Sequence, residues 1–222
     1  MRNRCLILGT LFCLGWFVTA SAHADNQYTF YITDNKGNAL ADVVIEPDVD
    51  SVTQVPTEVA IIDQIDKQFK PMQILVEKGQ RVNFPNSDNI RHHVYSFSRA
   101  KVFELKLYAD KPEAPIQFPE HGVVVLGCNI HDSMIGYIFV SKSNETVSTA
   151  ENGEATLLTK QAIDHVNVWH AHNAAGPESL LNVNMESLTQ DKDGRYLISM
   201  DIIPPAPRNS FEDTFGGISQ DY

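Results

Sequence analysis

Short apolar runs broken by turn residues dominate the chain. Residues 28–33, 42–46, 73–77, 81–84, 122–127, 137–140, 165–170, 181–185 and 196–200 are mostly rich in β-branched or aromatic side chains and bounded by Gly, Pro, Asn or Asp, the pattern of strands. No long stretch repeats apolar residues at the helical period, so the pattern predicts an all-β protein built as a sandwich or barrel. Asp34-Asn35-Lys36-Gly37, Lys78-Gly79, Asn152-Gly153 and Asp191-Lys192-Asp193-Gly194 supply residues that tolerate positive φ in tight turns. The last of these predicts a hairpin between 181–185 and 196–200. In it, Leu181, Val183 and Met185 share a face with Ile198 and Met200, or with Leu197, according to register. From Pro204 onward the chain has no period and reads as an irregular tail.

Arg2 and Arg4, a mostly apolar run over 5–20 and Ala22-His23-Ala24 have the order of a secretory signal cut after Ala24. The expected location is therefore periplasmic or secreted. The run falls short of the ~20 residues that span a bilayer, and no later segment is apolar enough to span, so no membrane span is expected after cleavage. The 17 basic and 28 acidic residues give a net charge of −11, the wrong sign for gripping phosphates, which excludes nucleic acid as a partner. Losing two arginines makes the balance more negative, and a partner with a basic surface is its electrostatic complement. Cys5 and Cys13 leave with the signal, so only Cys128 stays and no internal disulfide forms. In an oxidising compartment a lone thiol is buried, pairs with another chain, or holds a metal.

Its neighbours favour the metal. Gly127-Cys128-Asn129-Ile130-His131-Asp132-Ser133-Met134 lies between two apolar runs, so a strand, a short loop and a second strand carry a thiolate, an imidazole and a thioether at Cys-x-x-His-x-x-Met spacing. Thiolate and thioether favour Cu(I) while imidazole accepts Cu(II), so copper suits this set best. Structural zinc sites use four strong ligands, and Met is not among them. A further ligand is expected upstream, in Phe84-Pro85-Asn86-Ser87-Asp88-Asn89-Ile90-Arg91-His92-His93-Val94.

Together with Phe69-x-Pro71, Gly79 and the Asn86-x-Asp88 segment, this order resembles the cupredoxins, the small blue copper proteins, over about residues 58–142. The resemblance implies a Greek-key β-sandwich holding one type 1 copper ion through His92, Cys128, His131 and Met134, with a ligand loop as short as that of amicyanins. It implies a one-electron carrier, not an enzyme, that exchanges electrons with a redox protein such as a cytochrome or an oxidoreductase. It assigns the upstream ligand to His92 and implies a hydrogen bond from the His93 amide to the Cys128 sulfur. Strand alternation leaves His93 open as the ligand instead, because only one of two adjacent strand residues points inward. The resemblance further implies electron exit at the His131 edge, where Ile130 and Ile135 would form an apolar ring. Leu126 stands where cupredoxins often carry an aromatic, and the connection over 97–117 has no residue-by-residue match.

The segment 28–45 precedes the cupredoxin pattern and resembles the opening of a carboxypeptidase regulatory-like β-sandwich, whose continuation fits Thr149-Ala-Glu-Asn-Gly-Glu-Ala-Thr-Leu and Val166-Asn-Val-Trp169. The expected organisation is a signal peptide over 1–24, N-terminal strands over 25–57 and the copper domain over 58–142. A second, Ig/prealbumin-like sandwich follows over 143–205, then a tail over 206–222. The copper domain is thus expected to interrupt the second sandwich, and domain insertion at loops is permissible. Two consecutive domains are the alternative, and a contact of Phe30 or Ile32 with the strands over 155–203 separates the two arrangements. His170-x-His172 is one His pair where a trinuclear oxidase cluster needs four, so these residues are expected to be exposed and to close the strand before them. His121 and His165 carry no motif. Two other functions stay open: copper sequestration without electron transfer, and a structural β module without metal.

Overall fold

The computed structural model describes residues 26–110, 112 and 114–203, apart from the side chain of Asp132. The segments read as signal peptide and tail lie outside these residues. The chain is all-β. It opens with β1 (Asn26–Asp34) and β2 (Val44–Pro47), then runs through β3 (Val59–Ile61), β4 (Asp63–Gln64), β5 (Phe69–Lys70), β6 (Gln73–Glu77) and β7 (Arg81–Asn83). β8 (His92–Ser96), β9 (Phe103–Tyr108), β10 (Ile116–Gln117), β11 (Gly122–Cys128) and β12 (His131–Ser141) follow. The last strands are β13 (Val147–Ser148), β14 (Glu154–Thr159), β15 (His165–Trp169), β16 (Leu181–Asn184) and β17 (Tyr196–Met200).

Pairing divides the strands by sequence in an unusual way. β1 lies between β14 and β17, with Phe30 opposite Ala155 on one side and Tyr196 on the other. β2 lies between β13 and β15, and β16 completes that sheet. β3 to β12 pair among themselves, in the sheets β6-β12-β11-β8-β9 and β10-β7-β3 and the small ribbon β4-β5. The chain crosses from the first group to the second and back at one place, where the Ser51 and Val52 amides both donate to the Lys142 carbonyl, at 3.0 and 3.2 Å.

Alternation along the strands shows how the sheets stack. Ile45, Val166 and Val168 face Phe30, Leu157 and Met200 in one core. The opposite face of the same sheet presents Val44 and Trp169 to Val123, Tyr137 and Phe139 of the five-stranded sheet. Both faces of β2 are thus covered, which is why all four of its residues are buried. The other face of the five-stranded sheet contributes Val124, Leu126, Cys128, Met134 and Ile138 to a third core, closed by Val82, Phe84 and Phe118. Cys128 points into that core because it is in phase with Val124 and Leu126 on a period of two.

The predicted hairpin between 181–185 and 196–200 does not form. β16 pairs with β15, and β17 lies parallel to β1 in the opposite sheet. A single 3₁₀ turn over Met185–Ser187, capped by the Asn184 side chain, redirects the chain between the sheets and buries Met185 with Ile198 and Met200 in the shared core. The Asp191–Gly194 turn closes a tighter reversal, pairing Gln190 with Tyr196. The connection over 97–117 also carries structure: β9 forms the edge of the five-stranded sheet beside β8, and β10 pairs with β7.

Candidate metal centre

Two strand ends and one tight turn assemble the centre. On β8 the burial alternates, with His92, Val94 and Ser96 inward, so His92 enters the core and His93 faces away. β11 ends at Cys128, Asn129 and Ile130 form the turn, and β12 begins at His131, directly opposite Cys128 in register. A shift in register at Gly127/Cys128 breaks the regular ladder where the ligand loop starts, as bulges beside functional sites do.

The imidazole Nδ1 atoms of His92 and His131 each lie 3.7 Å from the Cys128 Sγ. All three ligand atoms fall within 4.8 Å of one another. With bonds of about 2.0–2.3 Å to a first-row metal, a nitrogen and a sulfur 3.7 Å apart subtend roughly 115–120°, so each imidazole is placed to share a metal with the thiolate. Met134, three residues along β12 from His131, is 1% exposed and packs in the same core as Cys128. Cys128 and His92 are 3% and 0% exposed, while His131 is partly exposed. Water is therefore kept from the thiol and one imidazole, and the other imidazole is the link to the surface. Ile130 and Ile135 flank that imidazole in sequence, and both are exposed.

The structure thus brings together His92, Cys128 and His131, with Met134 on the same core, and leaves His93 outside. The His93 ring meets Tyr95 edge-on, and its Nε2 approaches Glu104 Oε1 at 2.9 Å without the alignment of a hydrogen bond. Its carbonyl accepts from the Asn129 amide at 3.4 Å, which ties the ligand turn to β8. Tyr95 packs across Gly127, where a Cβ would stand 2.7 Å from the Tyr95 Cζ.

Asp88, the second residue of the Asn86-x-Asp88 segment, stands beside the site and has no role that the sequence pattern alone reveals. Asp88 Oδ2 accepts from His92 Nε2 at 2.7 Å, and the carboxylate also accepts from the Asp66 and Lys67 amides at 2.7 and 2.9 Å. Burial pushes this carboxyl up, but the hydrogen bonds from the Lys67 amide, the His92 ring and the Asp66 amide outweigh it and hold the group below the usual carboxylate range. A carboxylate only accepts hydrogen bonds, so Nε2 carries the proton and the Nδ1 lone pair faces Cys128.

The remaining histidines lie elsewhere. His170 and His172 are partly buried rather than exposed, and their rings meet edge-on. Burial lowers both below the usual imidazole range. His170 Nδ1 accepts from the His172 amide at 3.1 Å, which puts the proton of a neutral ring on Nε2 and leaves no lone pair for a metal. His121, which carried no motif, donates to the fully buried Glu46 at 2.8 Å where β2 meets the five-stranded sheet.

No family model and no curated protein matches the sequence. Among solved structures, the chain is similar to the copper-containing nitrite reductase from Thermus scotoductus SA-01, at 21% identity and a TM-score of 0.36, over 43% of this chain and 25% of that one. It is similar to a purple cupredoxin from Nitrosopumilus maritimus, at 22% identity and a TM-score of 0.33, over 37% of this chain and 98% of that one. It is also similar to amicyanin from Paracoccus versutus, at 18% identity and a TM-score of 0.32, over 44% and 97% of the two chains. The chain thus spans about a quarter of the nitrite reductase it matches.

Proposed function

We propose that the protein is an exported one-electron carrier that holds a single copper ion through His92, Cys128 and His131, with Met134 as a weak fourth ligand. The observation that carries this reading is the convergence of two imidazole nitrogens on one buried thiol. Two imidazoles and a thiolate in a trigonal set, with a thioether nearby, are the donor set of blue-copper electron-transfer sites. When bound, copper supplies a Cu(II)/Cu(I) couple that neither takes up nor releases a substrate. The chain's own residues keep water from the thiol, hold the His92 ring from its Nε2 side through Asp88 so that its Nδ1 faces Cys128, and leave His131 partly exposed next to Ile130, which is exposed, as is Ile135. That side is the docking surface for a redox protein, a cytochrome or oxidoreductase, and the acidic balance of the chain suits a basic partner.

Zinc is less well served, because its structural sites want four strong ligands. In the proposed organisation, strands β3–β12 form a copper module set within a second β-sandwich made by β1, β2 and β13–β17, and the strand pairing of Phe30 supports it. Protein-film voltammetry tests the function. A reversible one-electron wave from the copper-loaded protein that disappears in Cys128→Ser is the expected result; bound copper without any wave would point to sequestration instead.

A further inference from the structure

We propose that Asp88 is a positioning residue for the copper couple, set by the Asp66–Lys67 turn, and that its carboxylate tunes the centre through His92. The inference rests on the copper reading for its consequence but not for its geometry. Ile65 and Gln68 exchange both backbone hydrogen bonds, at 3.0 and 3.1 Å, around two residues at φ 55. Two successive left-handed residues make the two-residue turn that suits a twisted hairpin, and Asp and Lys adopt it here without a glycine. The turn aims two adjacent amides at Asp88. The 85–88 segment is laced to the same hairpin, since Ser87 donates to Asp63 Oδ2 at 2.7 Å and its amide to the Gln64 carbonyl at 3.0 Å. Asp88 is therefore held from two sides before it meets the ring.

The consequence follows from charge and distance. A carboxylate 2.7 Å from the Nε2 proton draws that proton toward itself and makes Nδ1 a stronger donor to metal. Partners of this kind typically change metal affinity by about 10–100-fold when removed. The added negative charge favours Cu(II) over Cu(I), so its removal raises the reduction potential, by ~59 mV for each tenfold change in the ratio of the two affinities.

Two measurements on the full protein test this, with Asp88→Asn and with Glu104→Gln as the control. The control removes a carboxylate near His93 that does not touch His92. In the metal-free protein, long-range nitrogen–proton NMR is expected to show His92 protonated at Nε2, with that proton moving upfield in Asp88→Asn and staying in place in Glu104→Gln. In the copper-loaded protein, voltammetry is expected to show a potential at least one tenfold step higher in Asp88→Asn, with little change in Glu104→Gln. A His92 proton on Nδ1 in the wild-type protein would overturn the proposal even if Asp88→Asn did not fold. Equal potential shifts in the two variants would overturn it as well. A wild-type protein that binds no copper would refute the copper reading, while the NMR result would still decide the Asp88 contact.

Discussion

Glu46 is the sharpest place to perturb the junction between the two groups of strands. Its carboxylate is fully buried and accepts from four donors: His121 Nε2 at 2.8 Å, Ser141 Oγ at 2.9 Å, the Lys142 amide at 2.9 Å and Asn167 Nδ2 at 3.3 Å. Glu46→Gln keeps the shape and replaces one acceptor oxygen with a donor. The least costly placement turns the new NH₂ toward His121, which can switch tautomer and accept, at the loss of the Asn167 bond. The Ser141 and Lys142 bonds then lose their charge assistance. One buried unmade bond costs about 1–3 kcal/mol, and each of the two bonds that lose charge assistance gives up about 1 kcal/mol more, so the total is about 3–5 kcal/mol at neutral pH. Burial pushes the Glu46 carboxyl up, but the His121 hydrogen bond and charge, with the Lys142 amide and Ser141, bring it below its ordinary value of 4.5. A carboxyl lowered on folding stabilises the protein above its unfolded pKa, and that contribution is lost as pH falls through the folded one. The gap between wild type and Glu46→Gln is therefore full above about pH 4.5 and narrows below it. Urea unfolding followed by Trp169 fluorescence across pH measures it, since Trp169 is buried in this junction against Phe139 at 5.6 Å. A cost under about 0.5 kcal/mol, the range of ordinary surface substitutions, or a gap that widens in acid, would refute the reasoning.

His92→Asn is expected to abolish the thiolate-to-copper absorption, whereas His93→Asn leaves it in place; visible spectra of the two variants check this. Ile135→Lys should slow electron exchange with a redox partner by about tenfold, a loss of ~1.4 kcal/mol of docking, with the copper spectrum retained, and stopped-flow mixing reads it. Gly127→Ala should cost about 1–3 kcal/mol by forcing Tyr95 aside, because the new methyl would meet its ring at 2.7 Å. Thermal unfolding should show most of that stability restored by Tyr95→Leu in the same chain.

Local patterns were the legible part of this protein. Cys128, His131 and Met134 lie on one hairpin, so their spacing survives into three dimensions. Alternation on β8 narrowed the upstream ligand to one of two histidines, and the resemblance favoured the one found at the thiol. What escaped depends on pairs distant in sequence. The Asp66 and Lys67 amides reach Asp88 from a turn with no glycine to mark it, and His121 meets Glu46 from 75 positions away. The failed hairpin between β16 and β17 has the same cause. Both strands carry apolar residues at alternate positions and flank a turn sequence, but the three-residue 3₁₀ turn at Met185, which sends them to opposite sheets, has no strong local mark. Phe103–Tyr108 went unplaced because an edge strand interrupted by Glu104 and Lys106 lacks the apolar density of the central ones.

The most direct test is an optical titration of the metal-free protein with Cu(II). The account predicts an intense visible thiolate-to-copper band that saturates at one equivalent, bleaches on addition of one electron and is absent in Cys128→Ser. Copper bound without that band, or a band that persists when Cys128 is replaced, would contradict a centre built on this thiol.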